Sequence, residues 1–179
     1  MKFFQKLDDF LDFGWAQIYR GKADKKSPAR HPTFLTSSTD GSPKARTLVM
    51  RRSDRKNNQI DFHTDTASSK IMELEKNPRA GIHIWLPKVQ LQIQMDVVIE
   101  IKVGDTTIPN WKNVPTNSRV AYGTIPNPGS VIESPFAYDH VPDHKRFAVL
   151  ICHIESIQLL LLGVKHIRAN YEKTNNWKG

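Results

Sequence analysis

The stretch Leu91-Gln92-Ile93-Gln94-Met95-Asp96-Val97-Val98-Ile99-Glu100-Ile101 decides the fold. Leu91, Ile93, Met95, Val97, Ile99 and Ile101 share one parity, while Gln92, Gln94, Asp96 and Glu100 share the other, with Val98 the exception. Period two over this length predicts a strand, Leu91 to Val103, with one buried and one polar face. Upstream, Arg79 to Leu86 reads as a second strand. Before it, Asn77-Pro78 stops a helix of about Ala67 to Lys76, whose start Asp65 or Thr66 can cap. Earlier still, Ile60 to Thr64 is a strand behind the polar turn Ser53 to Asn58. Asp40-Gly41 is a hairpin signal between the strands Thr33 to Thr39 and Ala45 to Arg52. Downstream, Asn110 to Tyr122 predicts a second helix interrupted by Pro115. Asn127 to Pro142 reads as loop, Phe147 to Leu162 as a long β-rich run, and Lys165 to Gly179 as a polar tail.

The N-terminus places Phe3, Phe4, Leu7, Phe10, Leu11, Trp15 and Ile18 at helical spacing. This predicts a helix over 1–20 packed on the body. Some six strands with one short helix between the third and fourth do not alternate as βαβ units. The fold class is therefore mainly β, an antiparallel β-barrel with a few helices, in one domain over 1–179.

The 179 residues hold 26 Lys+Arg against 18 Asp+Glu, a formal charge of +8, which favours an anionic partner without naming it. The one cysteine, Cys152, excludes an intramolecular disulfide and any Cys-ligated cluster, and reads as an inert buried thiol. Acidic residues interrupt the N-terminal stretch, so it carries no secretory h-region. Leu159 to Leu162 is far shorter than the ~20 apolar residues a membrane helix needs. The expectation is a cytoplasmic chain with no membrane partner.

Several motifs are missing: the phosphate loop G-x-x-x-x-G-K-[ST], G-x-G-x-x-G after a strand, and the G-x-S-x-G elbow. His140 and His144 are four apart, but Pro142 between them argues against a helix, so they read as solvated loop. His83 and His153 read as partnered interior or interface histidines, and Asp8-Asp9 as a solvated helix face.

Two places carry more. In Arg46-Thr47-Leu48-Val49-Met50-Arg51-Arg52, an unbulged strand would point Arg46 and Arg51 to opposite faces. They then form either a basic edge or contacts to two ends of one ligand. In Thr64-Asp65-Thr66-Ala67-Ser68-Ser69-Lys70, hydroxyls, a lysine and unpaired N–H groups converge at a helix start. That is either ordinary capping or an anion site.

The order of these pieces resembles the pyridoxamine 5′-phosphate oxidase family, the FMN-binding split barrels. Arg46 to Arg51 is similar to its R-x-V-L-L-K strand. Phe62-His63-Thr64 followed by Ser68-Ser69-Lys70 is similar to F-Y-T followed by S-R-K-A. Asn77-Pro78-Arg79 matches its N-P-R, and Gln92 falls where the family has a strand glutamine. The resemblance covers residues 33 to 103 well and the rest loosely. It implies FMN in a groove between two subunits of a homodimer. Arg46, Ser69 and Lys70 would meet the FMN phosphate, and Thr47, Leu48 and Val49 would run beside the ring. Arg51, His63, Thr64 and Gln92 would complete the cofactor site. The family's lysine is Arg51 here, its tyrosine is His63, and the arginine beside its lysine is Ser69. Its R-x-H-D-R segment is His166-Ile167-Arg168-Ala169-Asn170.

The resemblance thus implies an FMN-dependent oxidoreductase with altered substrate residues, for which Arg119, His166 and Arg168 are the substrate candidates and a small anion the substrate class. The alternative is a non-catalytic flavin- or haem-binding module on the same barrel. A nucleic-acid binder ranks lower, because no aromatics interleave the basic residues between Asp40 and Asn58 as a stacking platform requires.

Overall fold

The structure, a computed structural model, describes residues 4–179. Its first helix, α1, runs Leu7–Ala23, later than the expected 1–20, and Phe3 lies outside the described residues. Asp8 and Asp9 in the first turn, and Arg20 and Lys22 in the last, suit the helix dipole at both ends. Phe10, Leu11, Trp15 and Ile18 form its buried face. Gly14 lies on that face, where a Cβ would stand 2.8 Å from a Leu159 methyl. A larger residue there would have to push the end of the Leu159 side chain aside.

Eight strands build one antiparallel sheet: β1 Thr33–Ser37, β2 Pro43–Thr47, β3 Met50–Asp54, β4 Gln59–Asp65, β5 Arg79–Leu86, β6 Leu91–Val103, β9 Phe147–Leu161 and β10 Ile167–Glu172. The order is β2-β1-β5-β6-β9-β4-β3, with β10 also on β9. The two ends of this path, β2 and β3, are joined in the chain by only Leu48 and Val49. A sheet whose first and last strands are two residues apart must curl round on itself, so the barrel follows from connectivity. β9 splits its partners along its length. One edge follows β6 throughout, while the other pairs β4 up to His153 and β10 from Ser156 onward. A register shift opposite Asp96 and Val97 leaves Glu155 as the extra residue at that changeover.

The single strand expected over Ala45 to Arg52 is two strands. β2 pairs β1 and β3 pairs β4, so the break at Leu48-Val49 turns the chain from one end of the sheet to the other. Met50 faces Phe62 and Arg52 faces Asp61, which makes Arg51 a bulge residue. Arg46 and Arg51 therefore lie on different strands, and strand parity does not relate their directions. The tail also differs, since Ile167–Glu172 is β10, whose Ala169 and Tyr171 enter the core. The Tyr171 hydroxyl donates to the Leu7 carbonyl at 2.7 Å, tying β10 to the start of α1.

Phe34, Phe62, Ile82, Ile93, Met95 and Leu150 fill the barrel. α2, Ser69–Lys76, adds Ile71 and Leu74 to this core. It starts later than the expected Ala67, because the Asp65 carboxylate accepts from the Ala67 N–H in a turn before the helix. The excursion from Gly104 to Arg146 covers the outside of β4 and β9. It contains α3, Ile108–Lys112, a separate 3₁₀ turn at Thr116–Ala121, and a short pair, β7 Thr124–Ile125 with β8 Asp139–His140. Pro115 explains why Asn110 to Tyr122 is not one helix. Val114, Tyr122, Phe147 and Val149 form a second core beneath it. β4 is consequently buried on both faces, and its neighbours His63 and Thr64 point to opposite ones. No helix among the described residues is long and apolar enough to cross a membrane.

Candidate functional site

Lys70 is in the first turn of α2 and is buried. Its Nζ donates to Thr64 Oγ1 at 3.0 Å and to Ser68 Oγ. Burial pushes its pKa down from 10.5 to about 8. The Arg46 charge pushes the same way, against Glu73 and Asp65. Arg46 enters from β2. Its Nη1 donates to Thr36 Oγ1 at 2.6 Å and its Nη2 to Glu73 Oε2 at 2.9 Å. The Thr36 hydroxyl in turn donates to the same Glu73 oxygen. An ammonium has three donors and a guanidinium five. These bonds use two of each, so both cations keep donors for a further acceptor. Arg46 pairs with Phe34 across β1, and Thr64 shares the parity of Phe62, which places the cluster on the inner side of the sheet beneath α2.

Asp65 anchors the covering excursion beside this cluster. Its carboxylate accepts from the Gly123 N–H at 2.8 Å and from Arg146 Nε at 2.9 Å. Gly123 has φ +117, and a Cβ there would stand 1.9 Å from the Val141 carbonyl oxygen, so glycine is required.

A second site lies on the other face of β4. A cavity of about 420 Å³ is lined by Lys22, Arg30, Arg51, Asp61, His63 and Asn113, among others. Arg52, on its wall, is engaged by Asp54 and by Asp61 at 3.2 Å. By contrast, Arg51 Nε and His63 Nδ1 are buried without a partner. Burial, reinforced by the Arg51 charge, pushes His63 down to about 4, so the ring is neutral at neutral pH. It stacks edge-on against Phe147, with centroids 4.8 Å apart.

Of the residues singled out in the sequence, the structure brings Arg46, Thr64 and Lys70 together. Arg51 and His63 form the second site. Ser69 is exposed, and its neighbour Ser68 holds the lysine instead. Thr47 lies on the outer face, and Leu48 and Val49 are half-buried in the link, where the Leu48 N–H donates to the Pro32 carbonyl at 3.2 Å. Gln92 is on the outer face of β6 between Trp85 and Leu160, separated from β2 by β5 and β1.

Arg119 is engaged structurally. It donates to the Val114 and Trp111 carbonyls at 3.1 and 3.2 Å, and its guanidinium lies 5.0 Å over the Trp111 ring. These bonds hold the chain segment that follows α3. Arg168 donates to Gln158 on β9 at 2.8 Å. His166 lines a separate apolar cavity with Phe4, Phe13 and Leu161. Thr36 and Glu73 are the members that sequence reasoning missed. Their signal is a polar residue at an inward parity in β1, and a carboxylate one turn after Lys70.

Residues 14–101 match the family described as pyridoxamine 5′-phosphate oxidase, FMN-binding domain. The pyridoxine/pyridoxamine 5′-phosphate oxidase of Trichormus variabilis is 29% identical over 103 residues, which is 57% of this chain and 46% of that protein. Each match to a curated relative spans less than half of that relative's length. Among solved structures, a pyridoxamine 5′-phosphate oxidase-related, FMN-binding protein from Nostoc punctiforme has a TM-score of 0.73 at 24% identity, covering 96% of this chain and 93% of that one. PhzG from Burkholderia lata, solved with tetrahydrophenazine-1-carboxylic acid, has a TM-score of 0.69 at 14% identity, covering 96% and 86%. Residues 14–101 thus match the pyridoxamine 5′-phosphate oxidase FMN-binding domain family, and the chain carries the split-barrel fold of these solved structures.

Proposed function

We propose that this chain binds FMN, with the phosphate on Arg46 and Lys70, and works as an oxidoreductase in a homodimer. The observation that supports this most is the Lys70 ammonium. It is buried at 8% exposure with only hydroxyl partners, beside a second cation, at a helix start. A buried cation so placed gains most from an incoming anion. The residues fit a phosphate: Lys70 and Arg46 each have spare donors, and the first N–H groups of α2 add to them. When bound, FMN supplies the hydride and electron transfer chemistry. The chain binds and orients it, and the excursion anchored by Asp65 keeps water from the outer side of β4.

The cavity at Arg51 and His63 suits the anionic end of a small substrate, with Arg51 as the cation and the neutral His63 as a hydrogen-bonding neighbour. The second copy would cover the outer face of β5 and β6, where Trp85 and Gln92 are presented. The test is one absorbance scan of purified protein, before and after adding FMN and desalting. Retained flavin bands at near-stoichiometric occupancy support the reading, and a colourless protein refutes it. A Soret band in the purified protein would assign the barrel to haem instead. Sedimentation of the loaded protein as a monomer would remove the homodimer.

A further inference from the structure

We propose that Glu73 is a positioning residue for the phosphate site: braced by Thr36, its buried carboxylate fixes the Arg46 guanidinium in place. This rests on the FMN reading and goes beyond it, because the phosphate ligands are then organised by an acid that never touches the phosphate.

The geometry is specific. The Glu73 side chain is 6% exposed, and one oxygen, Oε2, receives both Arg46 Nη2 and the Thr36 hydroxyl. Thr36 is buried as well, and it accepts from the other terminal nitrogen of the same arginine. The three groups close a ring of hydrogen bonds across β1, β2 and α2. An arginine on an edge strand of a rolled sheet has four side-chain torsions to fix. Holding two of its nitrogens before the ligand arrives removes most of that ordering from the binding step.

The same carboxylate acts on Lys70, one turn earlier in α2. The charged groups facing Lys70 are Arg46 from β2, Glu73 from α2 and Asp65 from β4, the last already paired with Arg146. Arg46 opposes the ammonium, while Glu73 and Asp65 favour it. Glu73 is therefore the acid that counters Arg46 locally and lets two cations stand together in a buried place.

Glu73→Gln separates these roles. Glutamine keeps an oxygen for Arg46 and Thr36 but carries no charge, so Lys70 loses its proton at lower pH. FMN and riboflavin, which lacks the phosphate, are titrated by quenching of flavin fluorescence between pH 6.5 and 9.5. For the unaltered protein, FMN affinity is expected to fall as pH rises through about 8, where Lys70 titrates, with riboflavin flat. In E73Q the midpoint of the fall moves down by about one pH unit, with roughly threefold weaker FMN binding at pH 7.5 and unchanged riboflavin binding.

An E73Q profile that overlays the unaltered one, with FMN still preferred to riboflavin, overturns the role of Glu73 and leaves the FMN reading intact. Equal FMN and riboflavin affinity in the unaltered protein at every pH overturns the phosphate reading itself. Thr36→Val keeps the Glu73 charge but removes the brace, and serves also if E73Q does not fold. It should weaken FMN several-fold with the midpoint near 8 retained. Unchanged FMN affinity in T36V overturns the bracing.

Discussion

Replacing Lys70 by methionine should weaken FMN binding without weakening the fold. Depression of the lysine from 10.5 to about 8 means that burying its charge costs about 3 kcal/mol, at 1.36 kcal/mol per pH unit. The sign follows from proton counts. Between pH 8 and 10.5 the unfolded chain holds a proton that the folded one has released, so this penalty is complete below pH 8 and fades as pH rises through that window. Methionine fills similar space and removes the penalty. It also strips Thr64, which is buried, of its donor, a loss of about 1–3 kcal/mol. The net effect on the FMN-free protein is between zero and about +2 kcal/mol, a rise in Tm of no more than roughly 8 °C for a chain of this size. FMN affinity, by contrast, loses a charge-assisted contact of about 1.5–3 kcal/mol, or roughly 10- to 150-fold. Thermal melts of the flavin-free proteins at pH 7 and FMN titrations of both check the pair of effects. A Tm lower by several degrees together with unchanged FMN affinity would show that Lys70 is structural, and the phosphate assignment would fail.

Other perturbations test the frame around the site. Asp65→Ala leaves Arg146 without its buried partner, and should cost about 3–5 kcal/mol in urea unfolding with faster amide exchange at Gly123. Gly123→Ala forces a Cβ onto the Val141 carbonyl oxygen, and should loosen the β7–β8 segment, read as faster proteolysis between 123 and 143 with the barrel intact. Phe34→Ala, at the centre of the core, should cost about 3–5 kcal/mol of stability in the same denaturant assay. The His63 ring should titrate near 4 by NMR and stay neutral at pH 7, whereas a midpoint near 6.5 would contradict its burial beside Arg51.

The sequence displayed the barrel better than it displayed the site. Alternation in Leu91 to Val103 reports one buried face, and β6 has that pattern along most of its length. The break at Leu48-Val49 left no such mark. Both residues are apolar, no glycine or proline interrupts them, and only pairing with different partners divides β2 from β3. That break is also what separates Arg46 from Arg51. β10 escaped notice because its inward residues, Ala169 and Tyr171, alternate with Arg168, Asn170 and Glu172 over too short a span. Lys70 and Thr64 were legible because they stand beside a helix start. Thr36 and Glu73 were not, since a polar residue at an inward position gains meaning only when the fold shows which cation it meets.

The proposed phosphate site has a small net charge. Arg46 and Lys70 contribute two positive charges and Glu73 one negative, while Ser69 is exposed and uncharged. Asp65 is already matched by Arg146. A phosphate monoester dianion thus meets a local excess of about one positive charge, with the N–H groups of α2 supplying the remainder. Substituting arginine for Ser69 adds a cation at an exposed position, where it disturbs neither the core nor the Thr36–Glu73–Arg46 ring. Ser69→Arg should therefore tighten FMN by several-fold at low salt and lose that gain at 0.5 M salt, because an exposed charge is screened. A gain that persists at high salt would mean the new side chain is packed rather than steering. No gain at any salt would place the phosphate away from the start of α2.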